Sequence, residues 1–405
     1  MGVDSIAIER PRLSRRAVLA GLGAGVTALG LFRPFTAGAA VPAGNRTVYL
    51  TSYRDMNAGE GARYGMAGMT DDGTVLFRTP LPGRGHAVMP HPTRPLAVVF
   101  QRRPGRWLVP IDLTTGQTGR VERVPDGRRT TGHGLFSADG RTLFVVEDDV
   151  PGEVGVIAVY DTSAENTDDW KRVGTLPTHG IGPHEAILVN GGTVLAVGNG
   201  GVLTHPDTGR AKLNLDEMDA SLTFVAVADG RLVDKLRLPE EHSNLGIRHL
   251  AALPDGSVAF GTQDEHPVGM LQSLMGSARP GGPVTLYQTP DDVLARLDGY
   301  IGSVAVNADG TVVAGSSPRG GLTGLWDAAT GAFLGSRPLP DGCGLATHGN
   351  GFILTGGFGG VVTMDRGGAA EMERTTTAYG WDNHLMAATV PMPAAGATPI
   401  TPSAG

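Results

Sequence analysis

The chain has 405 residues and a formal net charge of -7, so it lacks the basic surplus on which nucleic-acid or anionic-membrane binding depends. Its one cysteine excludes an intramolecular disulfide framework, and neither CxxC nor CxxCH occurs for a zinc knuckle or covalent haem. With 62 glycines, 28 prolines and 40% hydrophobic residues, it reads as folded and dense in turns rather than disordered.

Residues 1–39 come first and read as a targeting segment. Arg10 and Arg12 lead into Ser14-Arg15-Arg16-Ala17-Val18-Leu19, followed by an apolar, Gly-rich run from Ala17 to Phe32. That run is shorter than the about 20 apolar residues of a membrane span. Ser-Arg-Arg followed by apolar residues has the form of a twin-arginine translocation signal, and Ala37-Gly38-Ala39 supplies a small-x-small cleavage site. The expectation is export to the periplasm by the twin-arginine pathway, with no integral membrane span. An uncleaved N-terminal anchor is the alternative.

The rest of the chain repeats. From His133 the segment HGLFSADGRTLFVVEDD alternates as strand, Ala-Asp-Gly turn and strand, and VGVIAVYDTS and KRVGTLPTH add two more strands. The opening recurs at His86, His184, His249 and Ser303, more weakly at Gly344, and in truncated form at His384. Starts lie 40 to 65 residues apart, bracketing the length of a propeller blade. The last copy supplies one strand, and the N-terminal part supplies three: 46–52, 64–69 and 74–79. One plus three completes a seventh blade and removes the open sheet edges. The fold class is therefore all-β, a seven-bladed β-propeller over residues 40–395, with a flexible tail over 396–405. Turn dipeptides at Asp72-Gly73, Thr115-Gly116, Asp139-Gly140, Asp229-Gly230, Asp255-Gly256, Asp309-Gly310 and Thr330-Gly331 mark its hairpins.

Aligning the repeats on their turns places His86, His133, His184, His249 and His384 in one column, with Ser303 and Gly344 in the other two blades. Residues at this position open the innermost strands, so their rings are expected at the mouth of the axial channel. Neutral imidazoles are common ligands of first-row transition metals, and the expected site binds iron or copper, haem being the less favoured form. A second column, closing the second strands, reads Gln101, Asp148, Asn199, Gln263 and Ser317, polar in every clear copy. Asp148 and Glu185 are the candidate acids, as direct ligands or as carboxylates orienting the rings, with Glu147 next to Asp148 and Asp382 near His384 as further carboxylates. The structural alternative is that histidines in Gly85-His86 and Gly132-His133 brace their blades. His179 and His184 form an i, i+5 pair able to reach one ion, and His91, His242, His266 and His348 read as rim residues. Cys343 reads as a buried thiol. The long repeat carries an insertion, 200–216, on the face of the column, as a lid or partner contact that could bring His205 and Asp207 to the site.

The segments GGVLTHPDTGRAKLNLDEMDASL at 200–222 and LGIRHLAALPDG at 245–256 resemble domain-of-unknown-function family 1513, exported propellers related to WD40-like and quinoprotein-type proteins. The resemblance covers nearly all of the chain after residue 39. It implies a role beside imelysin-like proteins in envelope iron acquisition, and it brings no reaction or ligand set. The favoured function is a non-enzymatic, periplasmic metal-binding propeller. A propeller oxidoreductase or hydrolase using the same face, and an interaction scaffold with structural histidines, are the alternatives. The chain has no Gly-x-Ser-x-Gly elbow.

Overall fold

Seven antiparallel sheets succeed one another along the chain, as the repeats predict. They are seen in a computed structural model that describes residues 45–58, 63–209, 211–265 and 271–391. The predicted targeting segment over 1–39, the predicted tail over 396–405 and His266 lie outside these residues. Six blades are continuous four-stranded sheets whose innermost strands are Gly85–Pro90, Arg128–Phe136, Pro183–Val189, Leu245–Ala252, Ser303–Val306 and Gly342–His348. They are numbered one to six below. Glycines 73, 116, 140, 230, 256, 310 and 331 of the predicted turns all have φ between +70° and +84°, the left-handed conformation that glycine adopts without strain.

The seventh blade closes the ring with strands from both ends of the described chain. Asn45–Asp55 pairs outward with Tyr64–Met69, which in turn pairs with Val75–Pro80. On its inner side it pairs with two C-terminal pieces, Tyr379–Trp381 and Met386–Pro391. The predicted single closing strand is thus split in two. Residues 382–385 leave the ladder between the pieces and carry Asp382 and His384 toward the centre.

Between blades, apolar faces pack into the core. Phe224, Phe260 and Trp326 are buried in one cluster spanning blades three to five. Val48, Met66, Val99 and Val390 join blade one to the closing blade. Burial on both faces explains the near-continuous apolar runs of the second strands, such as Leu96–Gln101 and Val194–Asn199. A helix over Asp291–Leu297, not foreseen from the repeats, lies between blades four and five. Among the described residues no helix is long and apolar enough to cross a membrane.

Candidate metal centre

The innermost strands of blades one to four are not regular. Each ladder shifts register at or next to the histidine of the column: between Gly85 and Val88, Thr130 and Gly134, Pro183 and Glu185, and Ile247 and His249. A β-bulge redirects side chains that a regular strand would hold in the plane of its neighbours. Here the bulges and the break at 382–385 turn five rings toward one another. In blade two the bulge uses Gly132 at φ +100°, and a Cβ there would sit 2.6 Å from His86 Cδ2. Hydroxyls from neighbouring strands fix the displaced backbone. Thr131 Oγ1 donates to the His184 carbonyl at 2.9 Å, and Thr51 Oγ1 to the His384 carbonyl at 2.7 Å.

His133 is the hub. Its ring centroid lies 5.1, 4.6, 5.7 and 4.8 Å from those of His86, His384, His249 and His184. The other four form an arc around it, with centroids 4.5 Å apart for His86 and His384, 5.1 Å for His384 and His249, and 4.7 Å for His249 and His184. Potential ligand atoms of His86, His133 and His184 lie within 4.8 Å of one another, and so do those of His133, His249 and His384. His86, His133, His249 and His384 are buried and His184 is partly exposed.

Carboxylates orient two of the rings. His86 Nδ1 donates to Asp382 Oδ1 at 2.9 Å, which leaves the lone pair of a neutral ring on Nε2, and Nε2 faces His384 Nε2 at 3.2 Å. His249 Nδ1 donates to Glu185 Oε2 at 3.2 Å, and His133 Nδ1 is 4.0 Å from the other oxygen of the same carboxylate. His133 Nε2 and His184 Nδ1 are buried and have no hydrogen-bond partner among the described residues. Nitrogen ligands on bonds of about 2.0–2.1 Å in a tetrahedral site are about 3.3 Å apart, close to the separation of the two Nε2 atoms. The donor set fits a borderline transition metal such as iron, copper or zinc rather than an oxygen-seeking cation.

Electrostatics keep these rings neutral. Burial lowers the pKa of all five histidines, that of His249 to about 3 with the adjacent Arg248 charge adding to the effect. Burial raises Glu185. It would raise Asp382 too, but the hydrogen bond from His86 and the guanidiniums of Arg102 and Arg84 hold that carboxyl far below the usual range. Arg84 Nε and Arg102 Nη1 reach Asp382 at 2.7 and 2.9 Å.

The remaining predicted residues are placed elsewhere. Asp148 belongs to neither histidine group. It lines a cavity of about 190 Å³ with Ile181, Gly182, Leu203 and Thr204, amid the charges of Arg103, Arg248 and Arg129. The register shift between Thr130 and Gly134 carries His133 inward while Asp148 stays opposite Arg129. Glu147 is buried and paired with Arg172 through both oxygens at 2.8 Å. His179 does not join His184; its Nε2 donates to the Gly230 carbonyl at 2.8 Å. His91 Nε2 likewise donates to the Gly140 carbonyl at 3.0 Å. Bracing of blade turns therefore falls to His91 and His179, not to the Gly85-His86 and Gly132-His133 pairs. His348 bonds Tyr49, His242 bonds Gln272, and His205 caps the turn at Pro206–Thr208 instead of reaching the site. Cys343 is buried at the blade-six bulge.

The insertion, between the second and third strands of blade three, does reach other blades. Arg103 of blade one donates to Thr204 at 2.9 Å, and Lys212 pairs with Glu265 of blade four at 2.5 Å. Asn214 closes its base on Leu203 and Gly201. Asp382 is the acid that repeat alignment undervalued. Its signal was its place beside His384, while its partner His86 lies at the other end of the chain.

Comparison with known proteins supports the fold and the family. The sequence profile of a family described as "Protein of unknown function (DUF1513)" matches residues 79–388. No curated protein matches this sequence. Among solved structures, hydrazine synthase of Kuenenia stuttgartiensis is similar with a TM-score of 0.56 at 16% identity, over 75% of this chain and 89% of that one. The β-propeller domain of Cps50 (Swd1) from Myceliophteria thermophila is similar with a TM-score of 0.50 at 13% identity, over 72% of this chain and 89% of that domain. At such identities the likeness is one of fold.

Proposed function

We propose that this chain, which belongs to the DUF1513 family of proteins of unknown function, is a metal-binding propeller that takes one iron or copper ion among His86, His133, His184, His249 and His384. The observation that carries this reading is the approach of five imidazoles from five blades, with the two Nε2 atoms of His86 and His384 at 3.2 Å. Asp382 and Glu185 stand behind the rings as the orienting carboxylates. Neighbouring ring centroids 4.5–5.7 Å apart suit an ion better than a haem macrocycle. The role is non-enzymatic, as a periplasmic component of iron or copper acquisition that works beside imelysin-type envelope proteins. Its support is the twin-arginine pattern at Ser14-Arg15-Arg16 and the resemblance of 200–222 and 245–256 to the family.

The test is elemental analysis and calorimetric titration of the protein purified after export through its own leader. One equivalent of iron or copper, lost in the His86→Ala/His384→Ala double variant, is the expected result. A protein that binds neither metal overturns it, and stability loss in that variant with no metal in the parent leaves the rings purely structural. Fractionation of cells making the parent and an Arg15→Lys/Arg16→Lys variant tests the location.

A further inference from the structure

The charges around the histidines ask for a second component. Imidazoles ligate as neutral rings, so five of them cancel none of the charge of a divalent ion. The nearby acids are mostly spoken for: Asp382 holds Arg84 and Arg102, and Glu265 holds Arg248 and Lys212 at 2.6 and 2.5 Å. Glu185 alone touches the rings without a Lys or Arg partner among the described residues. One carboxylate leaves a buried divalent ion with uncompensated charge, which is costly away from water.

Arg248 supplies the matching feature. It follows Ile247 at the blade-four bulge and directly precedes His249, and its side chain is 6% exposed. Its guanidinium lies across Gly200, where a Cβ would be 2.6 Å from Cζ. Nη2 is bonded to Glu265, but Nε is buried with no hydrogen-bond partner. A buried N–H of a permanently charged group calls for an acceptor.

We infer that the metal is bound together with a small anion, a carboxylate or oxyanion, that completes the coordination of the ion and accepts a hydrogen bond from Arg248 Nε. This rests on the metal-binding reading above and adds a ligand to it. The anion brings the missing negative charge and takes a coordination position beside the rings. Binding of ion and anion is then mutually reinforcing, since each lowers the charge cost of the other.

The experiment uses the full chain loaded with copper(II) in halide-free sulfonate buffer, with azide as the spectroscopic probe and formate as a carboxylate probe. Azide should produce an azide-to-copper charge-transfer band that saturates at one equivalent, and formate, a weak copper ligand on its own, should tighten copper binding about tenfold, in the range of ordinary coupling between ligands. Arg248→Met should weaken azide binding while copper stoichiometry stays at one, and Arg248→Lys should fall between. Copper bound at full stoichiometry, with no azide band and an affinity indifferent to formate, overturns the co-ligand while leaving the metal site standing. Absence of copper binding in every anion overturns both. The parent titration carries the test if the Met variant fails to fold.

Discussion

His86 and His384 meet through their Nε2 atoms at 3.2 Å although 298 residues separate them. One opens blade one and the other sits in the break of the closing blade, so the contact forms only when the ring is shut. An ion held there binds the folded state and not the unfolded chain, and must stabilise the closed ring. Saturating iron or copper at 100 times its Kd should raise stability by about 2.7 kcal/mol. Thermal unfolding with and without metal checks this. The midpoint should rise for the parent protein and stay put for His86→Ala and His384→Ala.

Asp382 serves two ends at once. It orients His86 and neutralises Arg84 and Arg102, so Asp382→Asn should cost about 3 kcal/mol, near the lower bound for breaking a buried pair because Arg84 is half exposed. It should also weaken metal binding about 10- to 100-fold, as loss of a carboxylate behind a ligating ring does. Glu147→Gln, which strands Arg172 far from the rings, should destabilise without changing metal affinity. Urea midpoints and calorimetric titration of the two variants separate the effects.

Gly132→Ala should damage the site through the backbone. Its φ of +100° is strained for any other residue, and the new Cβ meets His86 Cδ2 at 2.6 Å. We expect a cost of about 1–3 kcal/mol and weaker metal binding, because the His86 ring must move off its line to His384. Gly256→Ala, at φ +84° in open space, should carry the backbone cost alone. Equal metal affinities for the two variants would contradict the placement of His86.

Acid should weaken the metal-free protein in a defined window. The rings titrate near 6.5 when unfolded, and burial lowers them in the native state, His249 to about 3. Between those values the unfolded chain binds more protons, so stability is fully present above about 6.5 and falls as pH drops toward 3. Denaturant midpoints from pH 8 to pH 4.5 should be flat at first and then descend more steeply than one proton allows. A level profile down to pH 5 would show that the rings are not buried neutral.

The hairpin chemistry made the blades legible. The seven Asp-Gly and Thr-Gly turns between strands all hold their glycine at positive φ, so their spacing could be read without knowing what packed against what. The histidine column was legible for the same reason, since equivalent places in equivalent blades face the same axis. His91 and His179 escaped because their partners, the Gly140 and Gly230 carbonyls, are distant backbone atoms that no residue type announces. Asp148 misled because a column assumes an unbroken ladder, and the shift between Thr130 and Gly134 moves one strand past the other.

Local chain chemistry therefore settles the number of blades, the closure by both ends and which five histidines share a level, because turns and strand alternation depend on near neighbours. How closely those rings approach, which carboxylate backs which ring, and that Asp382 belongs to His86 follow from bulges and from ring closure. Both are set by packing between blades, where residues 296 apart share a hydrogen bond.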